Sequence, residues 1–209
     1  MKVNKKYKGL VTKKFNEFYF VELDKDETSV INKKFLCKLK KSVNFRNQFV
    51  FVGDEVIIDQ IDLPSKRAII ESLVKRNNLL ERPSVANISN IYVICSVEEP
   101  KLNLSQVNKF LISSEQLGVE VSLVLTKCDL ITEEKRLLLI EKFHQWGYQA
   151  RTLNLNNPEN LRNLLIELKK KKCSIFMGPS GVGKTTLLNM IIPGPVSYTH
   201  LTLPTTPYV

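Results

Sequence analysis

The string GPSGVGKTT, Gly178 to Thr186, narrows the choice of fold more than any other stretch of this chain. It fits the pattern Gly-x-x-x-x-Gly-Lys-Ser/Thr, whose glycines let successive backbone N–H groups turn inward around an anion. Such a cradle works between a strand and the amino end of a helix, and the flanking runs CSIFM and KTTLLNMII supply both. Lys184 is placed to reach the outer phosphates of a nucleotide and the Thr185 hydroxyl to bind Mg²⁺, which makes these two the expected catalytic groups. The backbone of Gly178, Pro179, Ser180, Gly181, Val182, Gly183, Lys184, Thr185 and Thr186 would line the phosphates. The position is unusual, because only 24 of the 209 residues follow Thr185. In most nucleotide-binding domains the loop follows the first strand, and the rest of the domain comes after it.

The strands that such a loop needs lie before it. ISNIYVICSV (88–97), VEVSLVLT (119–126), YQARTLNL (148–155) and KCSIFMG (172–178) read as strands. Between them, SQVNKFLISSEQLG (105–118) reads as a helix capped by Ser105 and stopped by Gly118. TEEKRLLLIEKFHQWG (132–147) is a helix opened by Thr132, and PENLRNLLIELKKK (158–171) is a third. Alternating strands and helices predict a parallel, doubly wound α/β sheet. Thr126-Lys127-Cys128-Asp129 ends one of these strands and fits the Asn/Thr-Lys-x-Asp pattern of guanine-reading loops. The Asp129 carboxylate can accept from the ring N–H and the exocyclic amine of guanine, a donor pair that adenine lacks. The Lys127 stem can lie over the base. Ligands of such sheets bind at the carboxyl ends of the strands, so the base-reading loop can precede the phosphate loop without harm to the site.

Residues 1–72 have a different rhythm. YKGLVTKK, EFYFVEL, KKFLCKLKK, QFVFVGDEVIIDQI and RAIIESL are strand-length, β-branched or aromatic, and separated by turn signals. Five such strands predict a small closed barrel of the oligonucleotide-binding type. Basic and aromatic residues interleave in it: Lys13, Lys14, Phe18, Tyr19, Phe20, Lys38, Lys40, Lys41, Phe45 and Arg46. Bases stack on aromatic faces while basic groups meet phosphates. Most of these aromatics are also suited to the barrel core, so the basic positions are the better candidates for contact. Residues 73–87 read as a linker and 88–195 as the α/β domain.

Charge and cysteine use bound the remaining choices. The chain has 31 Lys and Arg against 21 Asp and Glu, a net +10, which favours a polyanionic partner such as nucleic acid. No apolar run reaches the eighteen residues a membrane helix needs, and the basic amino terminus lacks the apolar core of a secretory signal. Cys37, Cys95, Cys128 and Cys173 lie 33 or more residues apart, so neither a zinc site nor a disulfide framework is indicated, and reduced cytoplasmic thiols are expected. The segment 196–209, VSYTHLTLPTTPYV, carries no Lys, Arg, Asp or Glu and reads as a non-native tail on a shortened frame.

Taken together, GLVTKKFNEFYFVEL, LCKLKK leading to VGDEVIID, LLERPSVANISNIYVICSVEEPKLN, VLTKCDL and GPSGVGKTTLLNMIIPG resemble the circularly permuted GTPases of small ribosomal subunit biogenesis. The resemblance covers residues 7 to 194. It implies an OB-like barrel followed by a circularly permuted P-loop GTPase domain, GTP or GDP with Mg²⁺ as ligands, and GTP hydrolysis stimulated by the small subunit during its late maturation. It also implies rRNA contact through the barrel and a cytoplasmic monomer. Family members continue with a switch segment, an Asp-x-x-Gly loop and a zinc domain; none of these follows Gly194, so the α/β domain is expected to be incomplete, with weak nucleotide binding and little hydrolysis. The family's third base-side loop falls near TLNLNN (152–157), where no matching side chain is recognisable, and position 126 is Thr where Asn is commoner. An ATP-dependent P-loop enzyme and a non-enzymatic RNA-binding module are the alternatives.

Overall fold

The computed structural model describes residues 2–3, 5–24, 34–40 and 49–191. The chain forms two compact units, Met1–Asn87 and Ile88–Val209. In the first, one sheet is built from six strands, β1 (Lys2–Val3), β2 (Tyr7–Phe15), β3 (Phe18–Leu23), β4 (Lys34–Leu39), β5 (Glu55–Asp62) and β6 (Arg67–Leu73). Their order is β1-β5-β2-β3-β4-β6, and a further β5–β6 pairing closes the last five into a barrel. Closure leaves those five without an edge, and irregularities in register supply the bend: β2 slips against β3 between Val11 and Lys13. Alternation sends Val11, Val21, Phe35, Val56, Ile58 and Ile70 inward, each at most 1% exposed.

The run QFVFVGDEVIIDQI is not one strand. Gly53 stands at φ 86°, and a Cβ there would lie 2.0 Å from the Ala86 carbonyl oxygen, so the chain turns tightly before β5 begins at Glu55. The fully buried Asp54 anchors this turn. Its carboxylate accepts from the Phe51 N–H at 2.8 Å and from Arg76 Nε and Nη2 at 2.6 and 2.7 Å. The Arg76 guanidinium also lies 4.9 Å from the Phe51 ring centre.

The expected linker is structured. Within 73–87, β7 (Leu79–Glu81) and β8 (Ser84–Ala86) form a hairpin. Ala86 N–H donates to Val52 O at 2.8 Å and Asn87 Nδ2 to Gly53 O at 2.9 Å, which ties the segment to the barrel unit up to Asn87. A partner more than thirty residues away sets this structure, and no local pattern announces it.

The second unit is a four-stranded parallel sheet in the order β11-β10-β9-β12, where β9 is Asn90–Ser96, β10 Glu120–Thr126, β11 Ala150–Leu153 and β12 Ser174–Met177. All seven residues of the central β9 are buried, which explains its unbroken apolar run. Helices α1 (Leu104–Glu115), α2 (Glu133–Gln145), α3 (Pro158–Lys169) and α4 (Lys184–Ile191) alternate with the strands. The cap of α1 is Asn103 rather than Ser105: its side chain accepts from Gln106 N–H at 3.1 Å. Gly118 stands just past the end of α1 at φ 65°. Thr132 caps α2, as its sequence predicts, and Asn157 caps α3 ahead of Pro158. Lys41, Phe45, Arg46 and the segment 196–209 lie outside the described residues.

Candidate functional site

Parallel pairing aligns the strand ends that matter. Thr126 stands opposite Ser96 and opposite Leu153, and Met177 stands opposite Val93. The loops leaving β9, β10, β11 and β12 therefore gather at one end of one sheet, the carboxyl end, where ligands of such folds bind.

The phosphate loop leaves β12 through Gly178, at φ 144°, and a Cβ at this residue would lie 2.0 Å from Ile94 O of the central strand. Only glycine fits that close approach. Gly181 and Gly183 also have positive φ, 80° and 96°. Val182 is 1% exposed and packs with Tyr92, Leu187 and Leu188, so one side chain anchors the loop while Ser180 and Gly181 stay exposed. Leu187 N–H donates to Gly183 O at 2.9 Å, which starts α4 and leaves the N–H groups of Lys184, Thr185 and Thr186 without intrahelical acceptors. Lys184 is 5% exposed, and its Nζ donates to Gly178 O at 2.8 Å and to Pro179 O. Burial holds this ammonium below its ordinary range, with the neighbouring Cys95 pulling the other way. Burial also pushes the Cys95 thiol up to about 12, so it stays neutral. The Thr185 and Thr186 side chains are exposed in the first turn of α4. Positive-φ glycines, a desolvated ammonium and free helix N–H groups form a cradle that fits an anion, and phosphate oxygens can take over the contacts Lys184 now makes with loop carbonyls.

The Thr126–Asp129 turn lies beside it. Thr126 is 1% exposed, and its Oγ1 lies 2.8 Å from Val182 O and 3.2 Å from Cys95 O; the hydroxyl's single proton favours the closer. Lys127 adopts the left-handed conformation, φ 56° and ψ 33°, uncommon for a residue with a side chain. Its Nζ donates to Glu99 O. Cys128 to Leu130 form a single 3-10 turn that leaves the Asp129 carboxylate exposed, while Cys128 is half-buried and burial raises its thiol.

Two further segments join the site. The loop from Glu98 to Asn103 lies between the two motifs: Pro100 Cδ would stand 3.3 Å from a Cβ on Gly181, and Pro100 O accepts from Ser96 Oγ at 2.7 Å. With Gln106, Pro179, Ser180 and Val182 this loop lines a cavity of about 260 Å³. The segment Asn154–Asn157, expected only as the place of a third base-side loop, folds on the Asn154 side chain, which accepts from Asn156 N–H at 2.9 Å. Leu155 Cδ1 would lie 3.5 Å from a Cβ on Gly183 and packs on the cluster that holds Val182.

On the barrel unit, cross-strand pairing sets cations over rings. Lys13 faces Phe20 across β2 and β3 with its Nζ 5.9 Å from the ring centre, and Lys38 Nζ stands 4.6 Å from that of Phe18. Phe15, Phe20 and Phe49 are 54%, 36% and 66% exposed, whereas Tyr19 and Phe35 belong to the core. The basic–aromatic mixture thus splits between core and outer face. Among the described residues no group of His, Cys, Asp and Glu side chains could hold a metal ion, and no helix is long and apolar enough to cross a membrane.

A family model described as RsgA GTPase matches residues 73–202. Small ribosomal subunit biogenesis GTPase RsgA of Prochlorococcus marinus (strain NATL2A) is 36% identical over 195 residues, which cover 90% of this chain and 62% of that protein. The protein of the same name from Parasynechococcus marenigrum (strain WH8102) is 34% identical over 185 residues, 88% of this chain and 62% of the relative. Among solved structures, YjeQ from Thermotoga maritima matches with a TM-score of 0.80 at 28% identity, over 91% of this chain and 66% of its own. YloQ, titled a circularly permuted GTPase, matches with a TM-score of 0.77 at 24% identity over 90% and 65%, a likeness that shows the fold. The chain thus spans about 62% of the length of these curated relatives. A Gly-x-x-x-x-Gly-Lys-Thr loop late in the chain, set beside the earlier Thr126–Asp129 turn on one parallel sheet, is the arrangement a permuted domain requires, and with the family match over residues 73–202 it places this chain in the RsgA GTPase family.

Proposed function

We propose that the second unit binds a guanine nucleotide at the carboxyl end of its sheet, and that the protein hydrolyses GTP as a cytoplasmic, monomeric factor in late maturation of the small ribosomal subunit. One observation carries the nucleotide reading: Thr126 Oγ1 reaches Val182 O at 2.8 Å, so the base-side turn and the phosphate loop are parts of one site. In this reading the loop from Gly178 to Gly183 and the first N–H groups of α4 bind the phosphates, and Lys184 turns from Gly178 O to their outer oxygens. Asp129 accepts from the guanine ring N–H and amine, and Lys127 covers the base. Cys128 belongs to the turn that presents Asp129.

Mg²⁺ fits the donor set, because the exposed Thr185 hydroxyl is a hard oxygen in the first turn of α4, beside the phosphate positions. When bound, Mg²⁺ draws negative charge from the phosphates and favours attack on the terminal one. The chain's own groups hold the nucleotide, orient it and neutralise charge through Lys184. Zinc is implied only for the longer family members and is assigned to no residue of this chain. The relatives' name places them at the small subunit; rRNA contact is proposed here for the outer barrel face of Lys13, Lys38, Phe18 and Phe20.

Displacement of a fluorescent methylanthraniloyl GDP tests the nucleotide reading. GDP and GTP are expected to displace it at least about a hundredfold better than ADP and ATP, as befits a site built on paired hydrogen bonds. Equal competition by the adenine nucleotides would favour an ATP-dependent enzyme. No binding of either class would leave an RNA-binding module.

A further inference from the structure

We infer that the run Lys169-Lys170-Lys171-Lys172, at the end of the sheet opposite the phosphate loop, is a docking surface for the phosphate backbone of RNA, apart from the barrel. The inference rests on the proposed association with RNA. Residues 88–209 hold 13 Lys and Arg against 10 Asp and Glu, and four of the 13 stand in this run. The positive surplus of the unit therefore depends on the run.

Its place in the fold separates it from the nucleotide. Helix α3 ends at Lys169 with Lys170 as its cap, and the run leads into β12, whose first residue Ser174 pairs with Asn90, itself opposite Glu120. These are the amino ends of three parallel strands. The base-side turn lies at the other end of the seven-residue β10, about 20 Å away at the usual rise per residue. Both ligands can be held at once.

Two acids near the run have partners. Glu120 accepts from Lys171 Nζ at 2.6 Å, and Glu167 pairs with Arg151 and accepts from Tyr92 Oη at 3.1 Å. Lys169 and Lys170 are exposed, as is Lys172, which has a contact of its own. One or two cations at the end of α3 suffice to complement its dipole, so four exceed what the helix requires. A lipid surface fits less well, because α3 turns Leu161, Leu164 and Leu168 towards its own sheet and leaves only Ile166 among its large apolar side chains exposed.

The test uses the full chain, a fluorescein-labelled RNA hairpin and anisotropy at rising KCl. The variant K169Q/K170Q/K172Q is compared with the charge-matched control K109Q/K135Q/K142Q, whose lysines are exposed on α1 and α2. The run variant is expected to lose about tenfold in hairpin affinity and to flatten the slope of log affinity against log salt by about 2 to 3, the loss of as many phosphate contacts. Its methylanthraniloyl-GDP affinity and its melting temperature should match those of the unmodified chain. Unchanged affinity and slope, or an equal loss in the control, would overturn the inference. So would phosphatidylserine vesicles that bind through the run while hairpin binding persists without it. A loss confined to K13Q/K38Q overturns the run and leaves RNA contact by the barrel intact. An unmodified chain that binds GDP but no hairpin defeats both RNA statements and leaves the nucleotide reading standing.

Discussion

The Thr126 hydroxyl and the Val182 carbonyl, 2.8 Å apart and both buried, join two motifs that lie 56 residues apart in the chain. Permutation of chain order therefore leaves this contact intact, because it is made through space, past the end of β9, between the end of β10 and the loop that follows β12. Thr126→Val removes the donor and leaves the Val182 carbonyl unpaired, a cost of about 1–2 kcal/mol. GDP affinity should fall roughly tenfold by fluorescence titration, whereas Thr126→Asn, which restores an N–H donor, should stay within about threefold.

Gly178 meets a harder limit. A methyl group there would sit 2.0 Å from Ile94 O, and neither backbone can retreat, since Ile94 lies in the fully buried central strand. Gly178→Ala should destabilise the second unit by about 3 kcal/mol or more. Trp146, the sole tryptophan, reports on that unit in urea unfolding. Gly181→Ala, which meets only the Pro100 ring, at 3.3 Å from Cδ, should lose about 1–2 kcal/mol, chiefly from its left-handed backbone.

In the barrel unit, Arg76→Leu strands the fully buried Asp54 carboxylate, which keeps the Phe51 N–H but loses two charged donors. A loss of about 3–5 kcal/mol is expected. Hydrogen exchange of β5 and β6 amides should show it, and Asp54→Asn with Arg76→Leu together should recover part of the loss, since the uncompensated charge is gone.

Lys184 gives the proposed nucleotide site a pH dependence of defined sign. Burial holds its folded pKa below the ordinary 10.5, so between that lowered value and 10.5 the unfolded chain binds more protons than the folded one. The stability of the nucleotide-free protein therefore rises with pH across this window. Phosphates favour the ammonium, so GDP affinity should fall as pH rises through the same window, and less steeply in Lys184→Met, where only loss of the guanine ring proton facing Asp129 still weakens binding. Cys95, held up to about 12, does not interfere. Titration from about pH 7 to about pH 10.5 measures both.

The parts legible in sequence were those whose chemistry is local. The phosphate loop, the Thr132 cap, the apolar β9 and the alternating barrel strands each follow from neighbouring residues. What stayed hidden depends on distant partners. The turn before β5 needs Arg76 to hold Asp54, and the hairpin at 79–86 needs Val52. The Glu98–Asn103 loop joins the site only because β9 and β10 lie side by side. Leu155 shows its role only when Gly183 is placed against it. Asn103 could have been found, since Asn followed three residues later by Gln fits a capping pattern as well as Ser105 does.

In the proposed function, Asp129 reads guanine at the site whose phosphates Lys184 holds. The most direct measurement compares GDP, ADP and xanthosine diphosphate as competitors for the unmodified chain and for Asp129→Asn. The amide of Asn can donate to the xanthine carbonyl that replaces guanine's amine, so the substitution should cut GDP affinity at least about a hundredfold and raise that of xanthosine diphosphate, with ADP unchanged. Retention of full GDP preference by Asp129→Asn would rule out guanine reading by Asp129.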